Sequence, residues 1–275
     1  MLRFDCSQPQ VMAIVNITPD SFYARSRQVE REAVVRRIRE AVEQGANLLD
    51  IGGCSSRPGA APIDEAEEWR RVSMGLEEAR RLAPHIPLSV DTFRSGIVQR
   101  AVERFGEVVV NDISAGEQDP EMIPTVARLG LSFVAMHMRG VPTTMQQMTS
   151  YERDIASEVV TYFERRVSEF LAAGVRREQI ILDPGLGFAK SVEQNYELLA
   201  GLHRLCGLGL PVLVGLSRKS MIYRVLNTTP DEALAGSVAL GWEALRQGAT
   251  ILRVHDVCEA VDSVRLFRAF QQNSI

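Results

Sequence analysis

The amino-acid sequence predicts an α/β fold, a single (β/α)8 TIM barrel that spans residues 1–275. Short aliphatic runs alternate with longer stretches of helical periodicity, which is the pattern of a parallel sheet covered by helices. Eight such runs occur in one chain of 275 residues without a linker rich in Pro, Gly or Ser, and barrels of about 250 residues commonly form one domain. An open doubly wound sheet has the same local pattern and stays an alternative at this point.

The predicted strands are short and almost free of charged residues, as strands buried on both faces should be. Each is followed by a longer stretch that has room for a helix. In chain order the strands span residues 11–15, 48–51, 88–90, 108–110, 132–136, 180–182, 212–214 and 251–254.

The predicted helices show apolar residues on one face only. The stretch 29–44 is an example, with Ile38 on the apolar face and Arg37 turned away from it. Two of the other helices begin with an aspartate suited to an N-cap, Asp64 and Asp231. These other helices span residues 64–83, 151–173, 193–205 and 231–247.

Composition excludes several classes of protein. With 24% charged residues and a formal net charge of -4, the chain has no general positive field for nucleic acid or acidic lipid. Cys6, Cys54, Cys206 and Cys258 are scattered and form no C-x-x-C pair, so neither a zinc site nor a disulfide framework is indicated. The longest apolar stretch, 208–216, is far shorter than the ~18 residues that span a bilayer. We therefore expect a cytoplasmic protein with no nucleic-acid or membrane partner.

Polar residues follow directly after the predicted strands. In a parallel barrel all these ends lie on one rim, where the active sites of this fold are built. One aspartate after a strand is more often a turn former or a helix cap, but polar ends on every strand indicate a functional rim. Strand by strand, the residues are Asn16, Asp50, Asp91, Asn111 with Asp112, His137, Asp183, the run 217–220, and Arg253 with His255.

Asp91, Asn111 and Asp183 are candidate ligands for a polar heterocycle. A carboxylate accepts two parallel hydrogen bonds from a guanidine-like edge, and such groups between apolar strands suit a ring rich in N–H donors. The same side chains could instead bind a metal ion, although they show no local spacing typical of a metal site, such as H-x-x-x-H.

Cationic residues near the last two strands predict an anion site. The run 217–220 combines Arg218 and Lys219 with backbone N–H groups at the start of a predicted helix, which attract an anion. Arg253 and His255 lie on one face of the last strand by alternation, where they can share a phosphate. Lys219 alternatively fits the Schiff-base lysine of an aldolase barrel, and the whole run alternatively fits a solvated surface.

Eight segments at the strand ends carry a family resemblance. They read MAIVNITPDSF (12–22), DIGGCSSRPGA (50–60), SVDT (89–92), VNDI (110–113), MHMRG (136–140), LDPGLGF (182–188), GLSRKS (215–220) and RVHDV (253–257). In the same order, they resemble the signatures of dihydropteroate synthases. The resemblance implies a transferase of folate biosynthesis, which condenses 6-hydroxymethyl-7,8-dihydropterin diphosphate with 4-aminobenzoate to give 7,8-dihydropteroate and diphosphate.

The resemblance also implies a role for each matching position. Asn16 matches an asparagine that helps to hold a Mg2+ ion on the diphosphate, which suits an ion that prefers phosphate oxygens and few protein ligands. Sulfonamides would compete with 4-aminobenzoate. The residues implied for the pterin side are Asp91, Asn111, Asp183 and Lys219. Those implied for the diphosphate side are Ser56, Arg253 and His255. Those implied for the 4-aminobenzoate side are Arg57, Pro58, Phe188 and Ser220. The implied catalytic set is Asp91, Asp183, Lys219, Arg253 and His255, with Gly215 as a further substrate contact.

The implied reaction is dissociative, with the leaving diphosphate stabilised by Mg2+, Arg253 and His255, and the cationic methylene stabilised by Asp91. The chain departs from the family pattern in the loop 23–27 and at Cys54, where a glutamate is frequent. Two other functions remain: a methyltetrahydrofolate-binding corrinoid methyltransferase, which has no diphosphate to stabilise, and a catalytically silent pterin-binding paralogue. Members of the family are often homodimers, and we expect one here.

Overall fold

The computed structural model describes residues 6–17, 27–55 and 63–273, with side chains from residue 30 onward in the second range. Eight parallel strands of one sheet lie in these ranges. They are β1 Gln10–Asn16, β2 Leu48–Gly52, β3 Leu88–Asp91, β4 Val109–Asp112, β5 Phe133–Met136, β6 Ile180–Asp183, β7 Leu213–Val214 and β8 Ile251–Val254. From one edge the order is β6-β5-β4-β3-β2-β1-β8-β7.

The sheet closes into a barrel where β6 meets β7. In the described chain, one parallel bridge between Leu182 and Val212 joins these two strands. The Leu182 N–H also donates to the Pro211 carbonyl at 2.9 Å. The protein is therefore a (β/α)8 TIM barrel, as the sequence predicts, and the open doubly wound sheet is excluded.

Helices follow the strands and cover the outside of the barrel. They are α1 Arg27–Glu43, α2 Glu65–Leu82, α3 Ser95–Phe105, α4 Met122–Leu129, α5 Ile155–Ala172, α6 Val192–Ala200, α7 Leu202–Cys206, α8 Ser220–Tyr223, α9 Leu234–Arg246 and α10 Val257–Gln272. No helix in the described ranges combines the length and the apolar character needed to cross a membrane.

The strands extend further into the polar segments than the sequence predicts. Asp91, Asn111 and Asp183 lie within β3, β4 and β6 rather than after them. The reason is that a strand pairs through its backbone, and the parallel ladder continues whatever the side chain is. Asn111, for example, is in register with Asp91.

Two predictions about helices are wrong, and one is confirmed. Asp64 caps α2, since its Oδ1 accepts the Glu67 N–H at 2.8 Å. Asp231 does not cap α9, which begins three residues later, and its carbonyl accepts a hydrogen bond from Arg218 instead. The predicted helix 193–205 is divided into α6 and α7 at Gly201, where an added Cβ would lie 2.9 Å from the Ala156 Cβ on α5.

The barrel interior has its own apolar layer, separate from the core between strands and helices. It lies near the amino-terminal ends of the strands, and each member comes from a different strand. The layer comprises Met12, Leu48, Val109, Val134, Ile181, Leu213 and Ile251.

Candidate functional site

The site lies next to this apolar layer, on the side of the carboxyl-terminal ends of the strands. Side chains of a strand alternate between its two faces, so the residue two positions after each member also points into the barrel. Strand β3 adds Asp91, which is in register with Gly52 and Asn111. The seven positions above the layer are Ile14, Asp50, Asn111, Met136, Asp183, Gly215 and Arg253.

Arg253 ties the acidic side chains together. Its Nε donates to Asp50 Oδ2 at 2.7 Å, and its Nη2 donates to Asp91 Oδ2 at 2.7 Å. Asn111 Nδ2 donates to the same Asp50 oxygen at 3.0 Å. These contacts bring residues from β2, β3, β4 and β8 into one cluster, which the sequence predicted from their shared rim.

Burial and charge act in opposite directions in this cluster. Burial raises the pKa of Asp91 to about 7, although the Arg253 guanidinium opposes that change. Burial also disfavours the charge on Arg253, yet Asp50 and Asp91 hold its pKa above the usual value. The other oxygen of Asp50, Oδ1, is buried and has no hydrogen-bond partner among the described residues. Such an oxygen is able to accept a hydrogen bond from a ligand or a water molecule.

Asp50 is a functional residue that sequence reasoning placed on the rim but gave no role. The signal was present, because Asp50 stands two positions after Leu48 and therefore on the inner face of β2. Its fully buried carboxylate holds both Arg253 and Asn111 in position.

Asp183 lies across the barrel from this cluster, at the end of β6. Its Oδ1 accepts the Gly185 N–H at 2.8 Å. Burial raises the pKa of Asp183, and among the nearby cations the charge of Lys219 opposes that rise most strongly. Burial also lowers the pKa of Lys219 to about 8. Its Nζ donates to the Leu186 carbonyl and lies 4.7 Å from the centre of the Phe188 ring.

Lys219 therefore points towards Asp183 and Phe188 instead of towards solvent. The other cation of the run 217–220 points elsewhere. Arg218 adopts a left-handed backbone conformation (φ 55°) and forms a bidentate ion pair with Asp256 at 2.9 Å. Its guanidinium thus binds the loop after β8, and Arg218 also lines the large cleft at this rim. The prediction that both cations serve one anion site stays a prediction.

A cleft of about 1290 Å3 lies at this rim. Arg253 contributes to its wall and also binds the carboxylates on the barrel side. The predicted site residues that line the cleft are Asn16, Phe188, Gly215, Lys219, Ser220, Arg253 and His255. The sequence therefore correctly placed Arg253 and His255 on one face of the last strand.

The cleft wall at Asn16 suits a cation that is held mainly by phosphate oxygens. A Cβ on Gly52 would lie 3.0 Å from Asn16 Oδ1 and 3.5 Å from Asp91 Oδ2, so glycine allows these oxygens to face each other. Within the described residues, no group of three or more His, Cys, Asp or Glu side chains forms a metal cage. Mg2+ keeps few protein ligands and takes the rest from phosphate and water, so the amide oxygen of Asn16 would be one oxygen ligand of such an ion.

Arg37 also lies in a different position from the one that the sequence predicted. It was predicted to face away from the core, but its Nη2 donates to the His255 carbonyl at 2.7 Å and its Nε to the Ile14 carbonyl at 3.1 Å. Arginine reaches this far because its long apolar stem can lie along the protein surface. Arg37 thus fixes the backbone that carries His255.

Lys190 and His137 form a buried pair behind Asp183. Lys190 Nζ lies 3.0 Å from His137 Nδ1 and donates to the carbonyls of Gly185 and Phe188 at 2.9 Å each. Burial, followed by the charges of Lys190 and Arg139, holds the pKa of His137 well below its usual value. The sequence showed no partner for His137, and Lys190 had no signal because a lysine before a helix is usually solvated.

Four predicted features lie outside the described residues. They are Ser56, Arg57, Pro58 and the atypical part of the first loop at 23–26.

Comparison with known proteins gives one consistent result. Residues 12–255 match the model of the family described as "Pterin binding enzyme". The dihydropteroate synthase of Haemophilus influenzae is 40% identical over 265 residues, which are 96% of this chain and 95% of that protein.

Solved structures are similar over almost the whole chain. The Xanthomonas albilineans dihydropteroate synthase with 4-aminobenzoic acid has a TM-score of 0.90 at 40% identity, covering 98% of this chain and 95% of that chain. The Yersinia pestis dihydropteroate synthase in a complex with a sulfonamide drug has a TM-score of 0.88 at 37% identity, covering 98% and 96%.

Proposed function

The chain belongs to the family of pterin-binding enzymes, and from this premise we infer that it acts as a dihydropteroate synthase. It transfers the pterin methylene of 6-hydroxymethyl-7,8-dihydropterin diphosphate to the amine of 4-aminobenzoate. The products are 7,8-dihydropteroate and diphosphate. The observation that carries this inference is Arg253, which binds the carboxylates inside the barrel and at the same time lines the outer cleft.

We propose that the pterin binds inside the barrel, against Asp183 and Asn111. Ionised Asp183 accepts hydrogen bonds from the amino-pyrimidinone edge, and Asn111 offers an amide that Asp50 holds in a fixed orientation. Lys219 contacts the ring from the β7 side, since its Nζ lies near the Asp183 side of the pocket. Gly215 leaves room there, because a Cβ at this position would be 3.9 Å from both Arg253 Cβ and Lys219 Nζ.

The diphosphate lies at the cleft wall, bound by Arg253 and His255, with Ser56 from the second loop as a further contact. The guanidinium of Arg253 still has donors directed away from Asp50 and Asp91 that suit phosphate oxygens. Asn16 would hold Mg2+ there together with phosphate oxygens. When bound, Mg2+ neutralises charge on the leaving diphosphate.

The 4-aminobenzoate site lies on the outer side of the pterin pocket. Phe188 provides an aromatic face, and Ser220 provides a hydroxyl and a backbone N–H for the carboxylate. Arg57 and Pro58 complete the site from the second loop. Sulfonamides compete for the same position, which is supported by the sulfonamide complex of the Yersinia pestis relative.

Bond cleavage precedes attack in the proposed mechanism. The C–O bond between the methylene and the diphosphate breaks, and Arg253 and His255 take up the developing negative charge. The carboxylate of Asp91 stabilises positive charge that spreads from the methylene into the pterin. The aromatic amine then attacks the methylene and loses one proton to solvent, so the reaction requires no dedicated general base.

We propose a cytoplasmic homodimer. The four cysteines all lie in the described ranges and are thiols rather than disulfides, which fits a reducing compartment. Leu266 and Phe270 on α10 are 65% and 63% exposed, and Phe270 packs beside Trp242 of α9. Such an apolar face on two late helices suits burial against a second copy.

The activity is tested by incubating purified protein with 6-hydroxymethyl-7,8-dihydropterin diphosphate and Mg2+, with and without 4-aminobenzoate. We expect diphosphate release that depends on 4-aminobenzoate, and a product with the mass of 7,8-dihydropteroate. Pterin binding without release would instead indicate a silent paralogue. Methyl transfer from methyltetrahydrofolate to a corrinoid would indicate the methyltransferase.

A further inference from the structure

We propose that Lys190 is a positioning residue, which holds the loop after β6 in its pterin-binding conformation and, as a buried cation behind Asp183, keeps that carboxylate ionised. The proposal rests on the proposed function, because it assumes that Asp183 binds the pterin. It concerns a residue that has no contact with the cleft: Lys190 is 4% exposed.

The contacts of Lys190 account for all three protons of its ammonium group. They go to the Gly185 carbonyl, the Phe188 carbonyl and His137 Nδ1. Since a charged lysine has donors only, Nδ1 of His137 must accept, and the ring proton is on Nε2. A buried ammonium group is costly unless its protons are bonded in this way.

These contacts connect Lys190 to the residues that face the substrate. Gly185, whose carbonyl binds Lys190, donates its N–H to Asp183 Oδ1. Phe188, whose carbonyl binds Lys190, presents its ring to Lys219. One side chain therefore fixes both ends of the loop between Asp183 and the aromatic wall of the cleft.

The charge of Lys190 matters in addition to its hydrogen bonds. The cations that face Asp183 are Lys219, Arg253 and Lys190, and each favours its ionised form. The charged groups that face Lys190 are Asp183, Lys219 and Arg139, while His137 beside it is neutral. Burial lowers the pKa of Lys190 to about 7, so its ammonium group carries the charge below neutral pH, in the range where Asp183 takes up its proton. Loss of the Lys190 charge should therefore raise the pKa of Asp183.

Asn195 provides a matched control, because it holds the same loop without a charge. Its Oδ1 accepts the Gly187 N–H at 2.5 Å, its Nδ2 donates to the Ser191 carbonyl at 2.6 Å, and the side chain is buried. Asn195→Ala therefore loosens the loop and leaves the electrostatics of Asp183 unchanged.

The test measures the dissociation constant of 6-hydroxymethyl-7,8-dihydropterin between pH 5 and 9, without the diphosphate, whose own titration would interfere. Lys190→Gln removes the charge but keeps amide donors for the loop carbonyls, and Lys190→Met removes both. In both variants we expect the pH below which binding is lost to rise, because a cation that favours the ionised form of Asp183 is gone. Asn195→Ala should weaken binding at every pH and leave that midpoint unchanged.

Two outcomes would overturn the proposal. One is an unshifted midpoint in both Lys190 variants. The other is failure of both to fold while Asn195→Ala folds, which would assign Lys190 to the stability of the barrel alone. If the unmodified protein bound no pterin, the proposed function itself would be wrong, so the two failures are distinguishable.

Discussion

Gly185→Ala tests how tightly the loop after β6 is built. Gly185 has a φ of 67°, and a Cβ at this position would lie 2.0 Å from the His137 carbonyl oxygen, whereas ordinary contacts begin at 3.4 Å. The loop and β5 would therefore have to separate by about 1.4 Å (3.4 − 2.0). That movement would disturb the His137 N–H bond to the Asp183 carbonyl, which is 3.0 Å long.

The expected loss of stability combines two contributions. A left-handed backbone costs a residue other than glycine about 1 kcal/mol, and a forced contact in a packed interior costs roughly 1–3 kcal/mol. A total of about 3 kcal/mol should lower the thermal unfolding midpoint by roughly 6–12 °C in a chain of this size. Circular dichroism measures the midpoint, and calorimetry measures the accompanying loss of pterin affinity.

Gly130→Ala is the control for the backbone contribution. Gly130 has a left-handed backbone (φ 67°, ψ 30°), and a Cβ there would make only an ordinary contact, 3.9 Å from Arg176 Nη1. It should lower the midpoint by only about 2–4 °C and leave pterin affinity unchanged. Equal midpoints for the two variants would refute the steric argument.

Three further predictions follow from the site and the surface. Asp183→Asn removes a charge-assisted hydrogen bond that contributes roughly 1.5–3 kcal/mol, so pterin affinity should fall by about 10- to 100-fold; an unchanged dissociation constant would exclude Asp183 from the pocket. Arg253→Gln removes the cation that opposes the rise in the pKa of Asp91, which is already about 7. Asp91 should then be protonated at neutral pH, and the acidic limb of the pH–rate profile should move to higher pH; a limb that stays in place would contradict the pairing. Leu266→Glu combined with Phe270→Glu should convert a dimer into a monomer in sedimentation equilibrium. The control Leu171→Glu, on the exposed face of α5, should leave the dimer intact. If the double variant and the unmodified protein had the same mass, α10 would not be the interface.

The architecture and most of the site could be predicted because both depend on local regularities. A period of two along each strand, combined with the shared rim of a parallel barrel, is enough to bring Asp91, Asn111 and Arg253 together. The break at Gly201 could not be predicted in this way, because it depends on how closely α5 approaches.

Lys190 and Arg37 escaped prediction for a related reason. The polar end of each of these long side chains is bound by backbone carbonyls: those of Ile14 and His255, far away in the chain, bind Arg37, and those of Gly185 and Phe188, in the loop just before it, bind Lys190. A carbonyl is present at every residue and leaves no mark in the sequence. Charged residues that serve the backbone are therefore read as surface residues.

The weak closure between β6 and β7 has a consequence for motion. One bridge, Leu182 with Val212, joins these strands in the described chain, so this seam is where the barrel opens most readily, and its amide protons should exchange with solvent before those of β1 and β2. Asp183 and Lys219 stand on opposite sides of the seam. A pterin bound between them, as proposed above, would bridge the seam from one strand to the other, and amide exchange along the seam should slow when pterin is added.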